Sequence, residues 1–305
     1  MLSPDELQLL QAIRDTGSLS RAAALLGKAP STISHAARQL ENRLDALLFD
    51  RRRYRLQLSP AGRVLVEESA RIHEDVQRLT LRVKQVARGW EDRLWIVCDE
   101  IFEFETLLPV IRDFDALGSG VPLRIGHEVL GGTWEALREG RADLVIGATN
   151  EPPTIAGLRW AELGRMDWSF AVAPRHPLAR AREPLKPEQV QKHRAVVVGD
   201  SSRQSGERSY GLQTGQPRLA VPTMRAKILA QREGLGVGWL PARRVQGLIE
   251  RGELVEKRMA QPREPNVLYL GWRSRDGGEG QALRWWLDRL AEPRLAKRLI
   301  DGLPA

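Results

Sequence analysis

Apolar positions in the first ninety residues fall into successive helical phases. Leu7, Leu10 and Ile13 share one face behind Ser3-Pro4-Asp5-Glu6. That tetrad reads as a capping box, with Ser at the N-cap, Pro at N1 and Glu at N3. A second helix starts at Ser18 and turns Ala22, Ala23, Leu25 and Leu26 inward; Gly27 ends it, since the position after a helix favours a residue that tolerates a left-handed backbone. Pro30 and Ser31 open a third helix, in which Ile33, Ala37, Leu40 and Leu44 repeat at helical spacing. Its other face carries Ser31, Thr32, Ser34, His35 and Arg38. Two helices meeting at a glycine turn, followed by a basic strand-like segment, have the layout of a winged helix-turn-helix. Short hydroxyls and a cation on the second helix suit base edges and phosphates. An αα-hairpin with a polar outer face has the same spacing.

Past Gly62 the period changes to seven. Leu65, Ile72, Leu79 and Val86 form one seam position; Val76 and Val83 form the other, with Ser69 one heptad earlier. Ser59 and Pro60 start this helix and Gly89 stops it. A seam this narrow suits a partner helix better than the surface of its own domain. The six apolar residues are therefore the dimerisation candidates.

From Asp92 onward the pattern is α/β. Strands are expected at Arg93–Cys98, Val121–Ile125, Asp143–Ile146, Phe170–Ala173, Ala195–Val198, Gly236–Leu240 and Leu268–Trp272, alternating with helices such as Thr133–Arg138 and Gln281–Leu290. This alternation predicts a twisted sheet flanked by helices, built as two lobes. The division expected is 1–59 for the winged helix-turn-helix and 60–89 for the linker helix. Residues 91–300 form the third part, with lobe I at 91–163 and 268–300 and lobe II at 164–267.

Charge sharpens the N-terminal reading. The chain carries +8 overall, and between Lys28 and Arg63 eight basic residues face three acidic ones. Such a patch binds phosphate and releases counterions. Arg51, Arg52, Arg53 and Arg55 belong to the expected wing. A lone cysteine, Cys98, excludes a disulfide framework within the chain and reads as core packing. The acidic start is unlike a signal peptide, and no apolar run reaches the ~18 residues of a membrane span. Together these point to a cytoplasmic protein without membrane contact.

Several ordered motifs resemble the LysR-type transcriptional regulators. Gly17-Ser18-Leu19-Ser20-Arg21-Ala22-Ala23 is similar to the start of that family's reading unit. Leu40-Glu41, Leu48-Phe49-Asp50-Arg51 and Leu58-Ser59-Pro60-Ala61-Gly62 follow in the family's order. Two departures, Ala29-Pro30-Ser31 and His35, lie on the reading face, so no operator preference carries over. The resemblance continues through Gly140–Ile146, His176-Pro177-Leu178-Ala179 and Gly234–Pro241. It implies a DNA-binding regulator, a homodimer or homotetramer on a pseudo-palindromic operator. It also implies a periplasmic-binding-protein-like effector domain with a small molecule between its lobes. Val129–Leu137 and Val196–Arg203 also look like a branch responding to aromatic compounds.

Ligands of open α/β sheets sit beyond the strand C-termini. The effector candidates are therefore Asp99, Glu100 and Ile101 after the first strand, Glu128 after the second and Thr149 after the third. Lobe II adds Asp200, Ser201, Ser202 and Arg203, with Thr223 before a helix. The acidic cluster of Asp99, Glu100, Glu103, Glu105 and Glu128 favours a ligand with phenolic or amine donors. Glu103 and Glu105 can instead face solvent, and Arg203 can instead capture an anion. Enzymatic readings find no support. The sequence lacks a phosphate loop, a dinucleotide fingerprint and a nucleophile elbow, and its five histidines are scattered. No metal or cofactor is expected. Two other readings stay open: a solute-binding or enzymatic α/β domain carrying an incidental helix-turn-helix, and a C-terminal domain that serves only oligomerisation.

Overall fold

The structure is a computed structural model that describes residues 2–50, 57–149, 151–203, 214–273 and 278–302. The chain divides into two compact units, Met1–Lys84 and Gln85–Ala305.

Unit 1 contains α1 (Pro4–Thr16), α2 (Leu19–Leu25), α3 (Pro30–Leu44), a two-residue ribbon of β1 (Phe49–Asp50) with β2 (Gln57–Leu58), and most of α4 (Pro60–Ala87). The capping box forms: Ser3 Oγ accepts from Glu6 N–H and Glu6 Oε2 from Ser3 N–H. The core gathers Leu10, Ile13, Ala22, Ala23, Ile33, Ala37, Leu40, Leu48 and Phe49. Leu25, expected inside, is exposed. Ala22, Leu26 and Ala23 share one arc of α2, and Leu25 lies off it. Leu44 keeps its face but sits on the last turn of α3, past the core, and is also exposed.

Two motif residues have plain structural work. Glu41 Oε1 accepts from the N–H groups of Leu48 and Phe49, at 2.9 Å each, and so fixes the chain entering β1. Gly62 lies so close to Leu48 that a Cβ there would stand 2.1 Å from its carbonyl oxygen. Only glycine lets the first turn of α4 pack against that backbone. Ser59 Oγ caps α4 by accepting from Gly62 N–H.

Unit 2 opens with β3 (Leu94–Asp99), α5 (Leu108–Asp115), β4 (Leu123–Glu128), α6 (Gly131–Arg138), β5 (Leu144–Ala148) and β6 (Leu158–Met166). The chain crosses into a second lobe with β7 (Trp168–Val172), α7 (Pro187–Val190), β8 (Ala195–Val198), β9 (Arg218–Val221), α8 (Met224–Arg232), β10 (Gly238–Pro241), α9 (Ala242–Glu250) and β11 (Val255–Glu256). It returns through β12 (Asn266–Arg273), α10 (Gln281–Leu290) and α11 (Pro293–Asp301). The lobe I sheet has the order β4-β3-β5-β12-β6. β3 pairs parallel with both β4 and β5, while β12 is antiparallel to β5 and β6. Lobe II holds the antiparallel set β10-β7-β11 and the parallel pair β8-β9.

β3 and β5 are covered on both faces, which explains their unbroken apolar runs. One face packs on Trp134 and Leu137. The other joins a larger core around Phe114 and the fully buried Trp286, where Trp90 and Trp285 complete an aromatic group with centroids 5.2–6.4 Å apart. Full burial of the Phe114 ring alone stabilises the lobe by about 1.5–3 kcal/mol. Cys98 is fully buried in β3, and burial pushes its thiol upward, so it stays an inert core residue. Among the described residues no helix is long and apolar enough to cross a membrane, and no cluster of three metal-ligating side chains occurs.

Candidate functional site

Two surfaces emerge, one in each unit. In unit 1, α3 starts at Pro30 without a side-chain cap, and its buried face (Ile33, Ala37, Leu40) turns Ser31, Thr32, His35 and Arg38 outward. Ser34 is half-buried at the edge of this face. The ribbon β1-β2 follows, and the expected wing residues Arg51, Arg52, Arg53 and Arg55 lie outside the described residues.

The α4 seam divides in two. Leu65 is half-buried and Ser69 buried, alongside Val66 and Ala70, so the first turns pack on the unit 1 core. Ile72, Val76, Leu79, Val83 and Val86 are all exposed. Five large apolar side chains thus lie exposed along one stripe of the helix.

In unit 2 the candidates gather between the lobes. Asp99, at the end of β3, is buried and holds the turn into α6. Its Oδ1 accepts from Ile101 N–H, and its Oδ2 from Leu130 N–H and the Thr133 hydroxyl. Leu130 takes φ 53°, a conformation costly for a branched residue. Glu100 Oε2 accepts from Met224 N–H at 2.7 Å, reaching from lobe I to the first residue of α8. Thr223 caps that helix by accepting from Ala226 N–H.

Other bonds join the lobes as well. Ser201 Oγ donates to the Glu128 carboxylate and accepts from Val129 N–H. Arg203 N–H donates to Glu135 Oε2 at 2.9 Å. The buried Arg244 of α9 donates to Ile101 O and pairs with Glu103 at 2.7 Å. Asp200 Oδ1 accepts from Ser202 N–H in a local turn. The acidic cluster expected to offer free acceptors is thus largely committed: Asp99, Glu100, Glu103 and Glu128 bind protein donors.

Within these contacts lies a chamber of about 50 Å³. Asp99, Glu100, Ile101 and Thr149 line it, as expected. Sequence reasoning missed Lys227, Trp168, Arg263 and Asn266 there. The signal for Lys227 was present: it occupies the buried phase of α8 with Met224, Ala230 and Gln231. An outer groove of about 820 Å³ runs past Glu128, Ser201 and Thr223, and also holds Phe104, His127 and Arg225.

Burial pushes the Asp99 and Glu100 carboxyls up to about 7, against partial compensation by their hydrogen bonds. A carboxyl that stays protonated in the fold keeps a proton the unfolded chain releases above pH ~4. Stability from these groups is therefore present at low pH and lost as pH rises from about 4 to about 7. Urea unfolding of wild type against Asp99→Asn at pH 5 to 8 checks this. The wild type is expected to lose up to about 1.4 kcal/mol per pH unit relative to the variant. Parallel curves would show that Asp99 is ionised throughout.

Comparison with known proteins places both units. Residues 4–63 match the model of the bacterial regulatory helix-turn-helix protein, lysR family, and residues 87–293 match the LysR substrate binding domain. An uncharacterized HTH-type transcriptional regulator, YeeY of Escherichia coli K12, is 34% identical over 301 residues, covering 99% of this chain and 96% of its own. The HTH-type transcriptional regulator PunR of the same organism is 31% identical, covering 96% and 94%. Among solved structures, full-length LysG from Corynebacterium glutamicum covers all of both chains at 22% identity and TM-score 0.50. An OxyR C206 mutant of that organism covers 98% of this chain and 94% of its own, at 15% identity and TM-score 0.63. The likeness to both structures is one of fold. With both of its units matched, the chain belongs to the LysR family of transcriptional regulators, DNA-binding proteins with an effector-binding domain.

Proposed function

We propose that this regulator reads a pseudo-palindromic operator as a homodimer or homotetramer, and that a small molecule held in the interlobe chamber sets its activity. Ser31, Thr32, Ser34, His35 and Arg38 contact base edges and phosphates from α3, and the arginines of 51–55 grip the backbone on either side. The exposed seam of α4 pairs two subunits, so two reading heads share one site. One observation carries the effector reading: the chamber lies beyond the C-terminal ends of β3 and β5, against α8, and two lobes close over it. A ligand acts by favouring one lobe arrangement over another. The bonds from Glu128 to Ser201 and from Glu100 to Met224 are the ones an altered closure breaks or makes. An aromatic effector is the finer reading; Trp168, Leu130, Val198 and Met224 supply apolar walls for a flat ring.

Selection of bound duplexes from a random pool, followed by affinity measurement with and without compounds that raise the melting temperature, tests the reading. The selected DNA is expected to show dyad symmetry. Thr149→Val is expected to keep DNA selection and lose the small-molecule response. A response that survives this substitution, or the lack of any response, favours a C-terminal unit that serves assembly alone.

A further inference from the structure

The interlobe chamber contains a cation without a partner. Lys227 is 5% exposed, yet its ammonium makes no hydrogen bond or ion pair among the described residues. Thr149 is 2% exposed, and its Oγ1 is buried without a partner. Both line the same cavity of about 50 Å³. Buried polar groups are normally satisfied, and a buried charge without a counter-ion is costly. A buried lysine on which no carboxylate acts and an orphaned hydroxyl, both on one small cavity, call for a common cause.

We propose that the head group received in this chamber is a carboxylate, bound by Lys227 Nζ and the Thr149 hydroxyl. The proposal rests on the effector reading above and names the chemistry of the ligand that reading requires.

The surrounding groups agree with it. The acidic residues of the cavity are turned to other donors: both Asp99 oxygens and Glu100 Oε2 accept from the backbone N–H groups of Ile101, Leu130 and Met224, and neither carboxylate is among the groups acting on Lys227. The other cation on the wall, Arg263, is engaged elsewhere. It stacks over Trp168 at 3.6 Å and donates to Asn266 Oδ1, which also accepts from Trp168 Nε1. Arg263 thus adds positive field to the chamber while remaining fixed. Burial, and then the charge of Arg263, hold the Lys227 ammonium down to about 7, as expected of a cation that lacks its anion. The cavity is short, which suits a planar two-oxygen head group. The apolar wall of Ile101, Leu130 and Met224 beside it suits a hydrocarbon body once the lobes part. This reverses the expectation of a donor ligand drawn from the acidic residues, because those residues are spent on the protein.

The test uses the full chain at pH 6 and three matched pairs: acetate with acetamide, propionate with propionamide, and benzoate with benzamide. Thermal unfolding and titration calorimetry are the readouts. At least one acid is expected to raise the melting temperature by a few degrees where its amide does not. Lys227→Met is expected to weaken that acid at least tenfold. The same variant, without ligand, is expected to melt no lower than wild type, since it removes an unpartnered buried charge. Amides as effective as acids, no response to any acid, an acid response untouched in Lys227→Met, or a ligand-free variant that melts well below wild type would each overturn the proposal. The two readings separate through Thr149→Val. If the amides bind and that substitution abolishes their effect, the chamber is still the effector site and only the carboxylate is wrong. If acids bind and neither substitution matters, the chamber itself is wrong.

Discussion

Leu79→Asp in the full chain is expected to convert the assembled protein into a single subunit and to remove operator binding. Leu79 is 61% exposed in one chain, so a carboxylate there meets water and leaves each unit's core intact. In a paired seam the same carboxylate is buried against the partner's apolar residues, which is strongly unfavourable without a counter-charge. The change therefore acts on assembly alone. Sedimentation should report the smaller species, while the circular dichroism and melting of the chain stay near wild type. A single head keeps only its own contacts, so affinity for a two-half-site operator should fall on the order of 10²–10⁴-fold. Ile72→Asp should behave alike. Leu65 is a poorer probe, because it packs against the unit 1 core. A Leu79→Asp variant that sediments at the wild-type mass would mean that the exposed stripe of α4 is not the subunit seam.

Replacing Arg51, Arg52 and Arg53 together by Ala is expected to weaken binding to every DNA sequence by a similar factor. These residues follow β1 and lie outside the described part of the structure; their role rests on charge and on their place after the recognition helix. Three lost phosphate contacts per reading head should flatten the slope of log affinity against log salt by about 2.7 for each head bound, about 5.4 for a pair on one operator. Ser34→Ala or His35→Ala should do the opposite, changing the ranking of operator sequences with little effect on the salt slope. Anisotropy titrations on operator and scrambled duplexes at several salt concentrations separate the two. An unchanged slope in the triple variant would take the wing off the backbone.

What could be read directly from the sequence was local. Ser3 with Glu6, Ser18 before Arg21 and Thr223 before Ala226 are bonds between residues three apart, and the structure makes each of them. The α10 limits Gln281–Leu290 and the β8 limits Ala195–Val198 were legible because periodicity and apolar runs report which side of a short element is buried. Glu41 and Gly62 were visible only as motif letters; their reasons, two backbone N–H groups and a 2.1 Å approach, needed the fold. β6 escaped notice because Arg159, Trp160 and Glu162 leave no alternation, and it is a strand only by its ladder with β12, about a hundred residues away. The candidate site divides the same way. That Asp99, Glu100 and Thr149 end strands was written in the sequence. Tertiary structure decided that the carboxylates are spent on Ile101, Leu130 and Met224 while Lys227 and Thr149 are left wanting. A side chain's hydrogen-bond state depends on partners as distant in the chain as 143 residues, the separation of Arg244 from Ile101, and no local pattern carries that information.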